Sequence, residues 1–362
     1  MLPVTVLRWF GFIQQQKPSF KSSSITFFLQ FSMLIVYLDS VLMYIIANEK
    51  AELPRKVILG KIYCLSSNLI AIGMLIRKRR SLISLLNKTG FICYPFSEKM
   101  INIITSCVLA LLFSYGAIFV FILKYAGDDY AFTFFFYKLP LESEILKYVI
   151  LYHKALVYFF LYATFPGLVV LLFCSLCHRC SCVLRNLTKE LDKCPLDKFT
   201  VEIQVKYLKC RRRVIELLEK IQDTFSLIVF ILFSASFSSC FAMVGQLLFY
   251  SYKPSALGLL SDILCNSVSA LICLISIFWI PGEVPIQMEK FNQVIRKKFE
   301  LRACLNIVQE NLSLERVLCE EKVFVLSGCS LVHFRKHFVL TVLGTILTYG
   351  LLIMNLDLLS YH

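Results

Sequence analysis

Five ionisable side chains stand inside otherwise apolar runs of the sequence: Asp39, Lys61, His153, Lys154 and Asp262. A titratable group at membrane depth is costly, turns toward protein or a water-filled cavity, and by default marks a functional site. Asp39 stands eight residues before the end of its run at Ala47, about 12 Å of helix. The other four stand four to six residues from the corresponding ends of theirs, about 6–9 Å. Both signs of charge therefore come to a similar depth. Tyr37, Tyr44, Tyr115, Phe119, Tyr152, Tyr158, Phe159 and Tyr162 supply aromatic faces in the same runs. An apolar cup with a few fixed polar groups is the environment that a small organic ligand needs. The ligand-binding candidates are accordingly Asp39, Tyr115, Phe119, His153, Tyr158, Asp262 and Asn266. The plainer alternatives are that Lys61 and Lys154 snorkel to the interface, and that Asp39 and Asp262 make interhelical pairs or hydrogen bonds.

A second pattern lies in the last apolar run. Thr341, Thr345, Thr348, Leu352 and Asn355 recur at i, i+4, i+7, i+11 and i+14, which puts them on one face of a helix. Lipid does not reward such a face. The functional reading is that these five residues line a water-filled pore at an oligomer axis. Thr and Asn would offer oxygens to a partly hydrated cation, and Leu352 could close the pore by dewetting. No charged ring accompanies them, so discrimination among cations should be low. The alternative is that each Thr hydroxyl bonds back to the carbonyl four residues earlier.

The elements that must position these residues follow from composition. The 362 residues are 58% apolar and 17% charged. Ordinary soluble chains are nearer 45–50% and about 25%. A spanning helix takes about 20 mostly apolar residues. Six long runs qualify: Ile25–Ala47, Val57–Ile76, Ile101–Leu123, Tyr148–Cys177, Phe225–Tyr250 and Ala256–Ile280. Phe338–Leu356 is a seventh. Val323–Val332 has only ten residues and is expected to form a short buried or re-entrant helix. Residues 1–24 lack the apolar core and cleavage site of a signal peptide, so the first span is expected to serve as the insertion signal.

Charge sets the expected orientation. The segments that would share a side with the N-terminus (1–24, the second loop, 178–224 and 281–337) hold 29 of the 38 basic residues, against 7 in the opposite set. Basic residues accumulate on the cytosolic side. The N-terminus is therefore expected inside and the C-terminus outside, with the +14 net charge lining the inner membrane face rather than serving nucleic acid. None of the fifteen cysteines falls in an outer loop, so structural disulfides are not expected. The sequons at Asn87, Asn186 and Asn311 all fall in inner loops. The expected organisation is all-α and polytopic. It comprises a cytosolic segment (1–24), a ligand-sensing bundle of four spans (25–177), a cytosolic helical extension (178–224), two further spans (225–280), a cytosolic helical anchor with the short re-entrant helix (281–337), and a pore-lining span with a short outer tail (338–362).

Apolar residues at Phe199, Ile203, Tyr207, Val214, Leu217, Leu218 and Ile221 keep helical spacing with no Gly or Pro before the fifth span. One long helix should therefore run out of the bilayer there. Val284, Met288, Phe291, Ile295 and Phe299 behave likewise after Pro281-Gly282 and Pro285. The two should form a packed platform that also carries subunit contacts; amphipathic helices lying on the membrane are the alternative. Cys174, Cys177, Cys180 and Cys182 sit with His178 at a helix end. Without a second ligand pair they read as packing residues or as sites of palmitoylation rather than as a metal site. The spans hold no G-x-S-x-G, no H-E-x-x-H and no facing aspartate pair, so neither enzyme chemistry nor a cofactor is called for. An inside N-terminus disfavours a G-protein-coupled receptor, and no paired interrupted helices suggest a transporter.

The C-terminal segment then carries a resemblance. Thr348-Tyr349, the five residues Gly350 to Met354, and Asn355-Leu356 resemble the Thr-Tyr, five apolar residues, Gln-Phe signature of insect gustatory receptors, with the Gln-Phe pair replaced. The preceding Gly328-Cys329-Ser330-Leu331-Val332-His333-Phe334-Arg335 resembles the stretch that enters the same helix in that family. The resemblance implies a tetrameric, ligand-gated, non-selective cation channel, homomeric or heteromeric, in the plasma membrane of a sensory neuron dendrite. It implies that the last helix lines the pore, with a ligand pocket among the earlier helices. The permeant ions would be monovalent and divalent cations. Gly350 stands where sugar-sensing members carry Glu, which points to a bitter or other tastant. The other readings are an odorant-receptor-like subunit working with a co-receptor and, from a different class, a membrane scaffold or intramembrane enzyme.

Overall fold

A computed structural model describes residues 2–12, 20–49, 55–89, 95–125, 143–250, 257–305 and 323–359. The elements are α1 (Leu2–Trp9), α2 (Phe20–Glu49), α3 (Arg55–Arg77), α4 (Arg79–Thr89), α5 (Pro95–Tyr125), α6 (Glu144–Phe159), a π turn (Phe160–Thr164), α7 (Phe165–Lys193), α8 (Val201–Tyr250), α9 (Leu257–Trp279), α10 (Glu283–Cys304), β1 (Ser327–Gly328), β2 (Val332–His333) and α11 (Phe338–Leu359). Among the described residues, six helical stretches are long and apolar enough to cross a membrane, and Phe338–Tyr349 is a shorter apolar one.

The α6–α7 rod is the hub. Of its most apolar stretch 78% is buried inside the protein, against 22% for α2 and for α5. Burial follows sequence: Phe165, Leu168, Leu172 and Leu176 are fully buried in the main core, where α7 packs on α8 and α9, whereas Phe27, Phe31, Ile103 and Phe113 on α2 and α5 face outward. Pro166 is why the rod contains a π turn. It has no N–H to give to the Tyr162 carbonyl, and its ring crowds that oxygen. The register widens, so that the Phe165 N–H bonds the Phe160 carbonyl, and Asn68 Nδ2 donates to the carbonyls of Leu161 (3.0 Å) and Tyr162 (3.4 Å).

The long helix expected before the fifth span is present as the unbroken fifty residues of α8. The platform is present too. Leu191, Phe199 and Tyr207 close over Phe291, Ile295 and Phe299 of α10. Lys298 Nζ reaches the carbonyls of Asp192 (3.3 Å) and Cys194 (2.5 Å), and Arg302 reaches that of Phe199. Lys298 thus caps carbonyls at the C-terminal end of α7, and Arg302 holds the connection that leads into α8.

Residues 323–332 do not form the expected re-entrant helix. They run extended into a hairpin, with Ser327 opposite His333 and Gly328 opposite Val332. Two consecutive residues of positive φ, Cys329 (53°) and Ser330 (59°), turn the chain, and the Leu331 N–H closes on the Gly328 carbonyl at 3.0 Å. That is type I′ behaviour, which normally selects Gly or Asn. A left-handed non-glycine residue costs about 1 kcal/mol. Ser330→Gly should therefore raise stability by up to about 1 kcal/mol, seen as an upward shift in thermal unfolding of the purified protein.

Candidate functional site

Three places in the bundle carry polar or aromatic side chains suited to a ligand, two of them built from residues nominated in the sequence. The first is a seam between α2 and α6. Lys154 Nζ donates to Asp39 Oδ1 at 2.9 Å, with the two side chains 22% and 17% exposed. Ser32 Oγ and His153 Nε2 share a hydrogen bond of 2.9 Å, and the hydroxyls of Tyr44 and Tyr158 meet at 3.1 Å. Lys154 is thus paired rather than snorkelling, and the interhelical pair anticipated for Asp39 is made. Lys61, also expected to snorkel, is instead buried at 1% exposure. Its ammonium lies 5.3 Å from the centre of the Tyr162 ring, an arrangement that compensates a desolvated cation.

The second place is aromatic. Tyr115 stacks on Phe159 at 4.1 Å and on Phe119 at 6.0 Å, joining α5 to α6. The third is a narrow cavity that sequence reasoning missed. It is partly open, with room for about one water molecule. Its lining includes Cys64 and Asn68 (α3), Tyr162, Ser236 and Ser239 (α8), and Ser269 and Cys273 (α9). Tyr158 stacks on Tyr162 at 5.6 Å, and the Tyr162 hydroxyl meets Ser239 Oγ at 2.8 Å, so one aromatic ladder joins the α2–α6 seam to the cavity. Asn68 Oδ1 is fully buried there without a hydrogen-bond partner. Asn266 is buried on α9, one turn from Ala270 in the lining. Asp262 lies on α9 with its side chain outside the described residues. Pro166, itself in the lining, frees the Tyr162 carbonyl, and Asn68 is the side chain that answers it.

The last helix stands at the edge of the bundle. Val339 and Ile346 are buried against α8 and α9, and Tyr349 meets Phe241 edge-on at 6.5 Å. Thr341, Thr348 and Leu352 lie on the opposite, exposed face with Leu340 and Leu347. Thr345 is half-buried, and its hydroxyl bonds back to the Thr341 carbonyl at 2.8 Å, the intrahelical alternative weighed for the stripe. The side chains of Asn355 and Leu356 lie outside the described residues. The inner packing of the cysteine run is clear: Cys174, Cys177 and Cys180 are buried, and Cys182 Sγ touches His178 Nε2 at 3.4 Å.

No protein-family model matches the chain, and no curated protein matches it in sequence. Solved structures do. The insect olfactory receptor OR5 from Machilis hrabei superposes with a TM-score of 0.71 at 14% identity, covering 97% of this chain and 98% of that one. The same receptor in complex with eugenol superposes with a TM-score of 0.75 at 14% identity, covering 98% and 96%. Coverage of both chains almost end to end leaves little room for a different architecture. The chain is an all-α polytopic membrane protein, six long apolar helices and a shorter one, with the fold of an insect olfactory receptor.

Proposed function

We propose that the chain is a chemosensory receptor that acts as a ligand-gated, non-selective cation channel, four copies meeting along α11 and a small organic tastant opening the pore. The observation that carries this reading is the last helix. An apolar helix with Leu340 76% exposed and with Thr341, Thr348 and Leu352 turned away from its own bundle is unfinished as a monomer. Copies arranged about an axis would cover Leu340 and Leu347 and present the threonines to water. The fold shared with an olfactory receptor supports the reading, as does the Thr348-Tyr349 signature. In this arrangement the N-terminus is cytosolic, the C-terminus extracellular, and α10 with the ends of α7 and α8 forms the inner anchor.

The ligand would bind where the α2–α6 seam, the Tyr115 stack and the Tyr162 ladder converge. His153→Ala should raise the half-maximal ligand concentration by about tenfold, since it removes a fixed polar group from a mostly apolar site. Calcium imaging of expressing cells against a panel of bitter and aromatic compounds, eugenol included, tests both points. Ligand-evoked entry of sodium and calcium supports the reading; an assembled surface complex silent to the whole panel counts against it. An odorant role with a co-receptor is the second reading, favoured by the olfactory identity of the similar structures. Responses that appear only on co-expression with another subunit would select it.

A further inference from the structure

The hairpin that feeds α11 is held by two side chains of α8, and this contact is independent of the candidate ligand site. Gln222 acts as a strand-like partner for one residue. Its Oε1 accepts the Ser327 N–H at 2.9 Å, while its Nε2 donates to the Ser327 carbonyl at 2.6 Å and to Ser327 Oγ at 2.9 Å. One turn along, Ser226 Oγ donates to the same carbonyl at 3.0 Å and accepts the Cys329 N–H at 2.8 Å. Two side chains thus satisfy three backbone groups of a segment whose turn is held at positive φ. Gly328 packs closely on the Phe230 side chain; a Cβ there would sit 3.1–3.3 Å from it. Phe334, one residue past β2, is buried against Phe173 and Phe278. The segment is therefore tied to α8 on one side and to α7 and α9 on the other, a few residues before α11 begins.

We infer that Gln222 and Ser226 are positioning residues of the gate: through Ser327 and Cys329 they pass movement of α8 to the inner end of α11. This rests on the channel reading above. α8 also carries Ser236 and Ser239 of the cavity, ten to seventeen residues further along the same unbroken helix, so displacement at the cavity reaches Gln222 without crossing a loop.

The test uses the full-length protein with Gln222→Met, Ser226→Ala and Ser226→Thr. Hydrogen exchange should accelerate about tenfold in residues 323–338 for the first two variants, with residues 158–176 unchanged and with Ser226→Thr near wild type. In planar bilayers, with eugenol and the compound panel above as probes, the ratio of ligand-evoked to ligand-free current should fall about tenfold in the first two, at unchanged unitary conductance. Ser226→Thr should retain most of the ratio. Faster exchange with an unaltered current ratio would overturn the gating role. Unaltered exchange would overturn the clasp itself. A wild type that conducts under no condition would instead overturn the channel reading, and is told apart because the exchange result does not depend on current.

Discussion

Asp39→Ala is expected to destabilise the protein by about 3–5 kcal/mol, because it leaves the Lys154 ammonium in an apolar layer without its carboxylate. The pair is short at 2.9 Å and mostly withdrawn from solvent, so the cost is not screened as it would be at a water-facing surface. The pair itself contributes less than its disruption costs, since both ions were desolvated to form it. The double variant Asp39→Leu/Lys154→Met should therefore recover most of the loss. Thermal unfolding of the purified protein in nanodiscs, followed by size-exclusion chromatography, reads both. A single variant that unfolds with the wild type would mean that the pair is not formed in the bilayer. A double variant as poor as the single would assign the loss to packing.

Gly282→Ala should be comparably damaging for a different reason. Gly282 lies in the bend between α9 and α10, where the backbone entering α11 passes close by. A Cβ there would stand 2.5 Å from the Phe278 carbonyl oxygen and 2.8 Å from the Lys336 amide nitrogen. Both obstacles are backbone, so no rotamer change relieves them, and the cost should be about 2–4 kcal/mol. Gly73, near the C-terminal end of α3, has open space where a Cβ would go. Gly73→Ala should be neutral or stabilising by up to about 1 kcal/mol. The same junction carries Glu283, which accepts from Lys336 and Gln287 and lies 3.6 Å from Arg185. Burial alone would push the Glu283 carboxyl up, but these partners hold it below the usual carboxylate range. The turn from bundle to last helix is thus fixed sterically at Gly282 and electrostatically at Glu283.

Much of this architecture was legible in the residues. Apolar run lengths gave the helices within a few residues, since 20 residues of low polarity admit few alternatives at membrane depth. The uninterrupted spacing from Phe199 to Ile221 foretold the extension of α8, and an interhelical pair was one reading of Asp39, but its partner was not legible: Lys154 was expected to snorkel and instead meets Asp39. The hairpin was not legible, because a ten-residue apolar run suits a buried helix and an extended strand equally by periodicity. The turn falls at Cys329-Ser330, neither of which is a residue that ordinarily marks a left-handed turn. The cavity was hidden for another reason. Serines and an asparagine spread over three helices have no spacing in common, and only the fold brings Asn68, Ser239 and Ser269 together. The threonine stripe was readable as a helical face, yet a face cannot report which hydroxyl bonds back into its own helix; Thr345 does so.

The central claim is that copies of α11 surround an ion path, with Thr348 and Leu352 on its wall. It is tested most directly by recording ligand-evoked current from Leu352→Cys while a membrane-impermeant, positively charged thiol reagent is applied to the outer face. The account predicts rapid loss of current, reversed by a reductant, with the wild type unaffected because none of its cysteines is expected in an outer loop. Full labelling of the introduced thiol with current unchanged would contradict it.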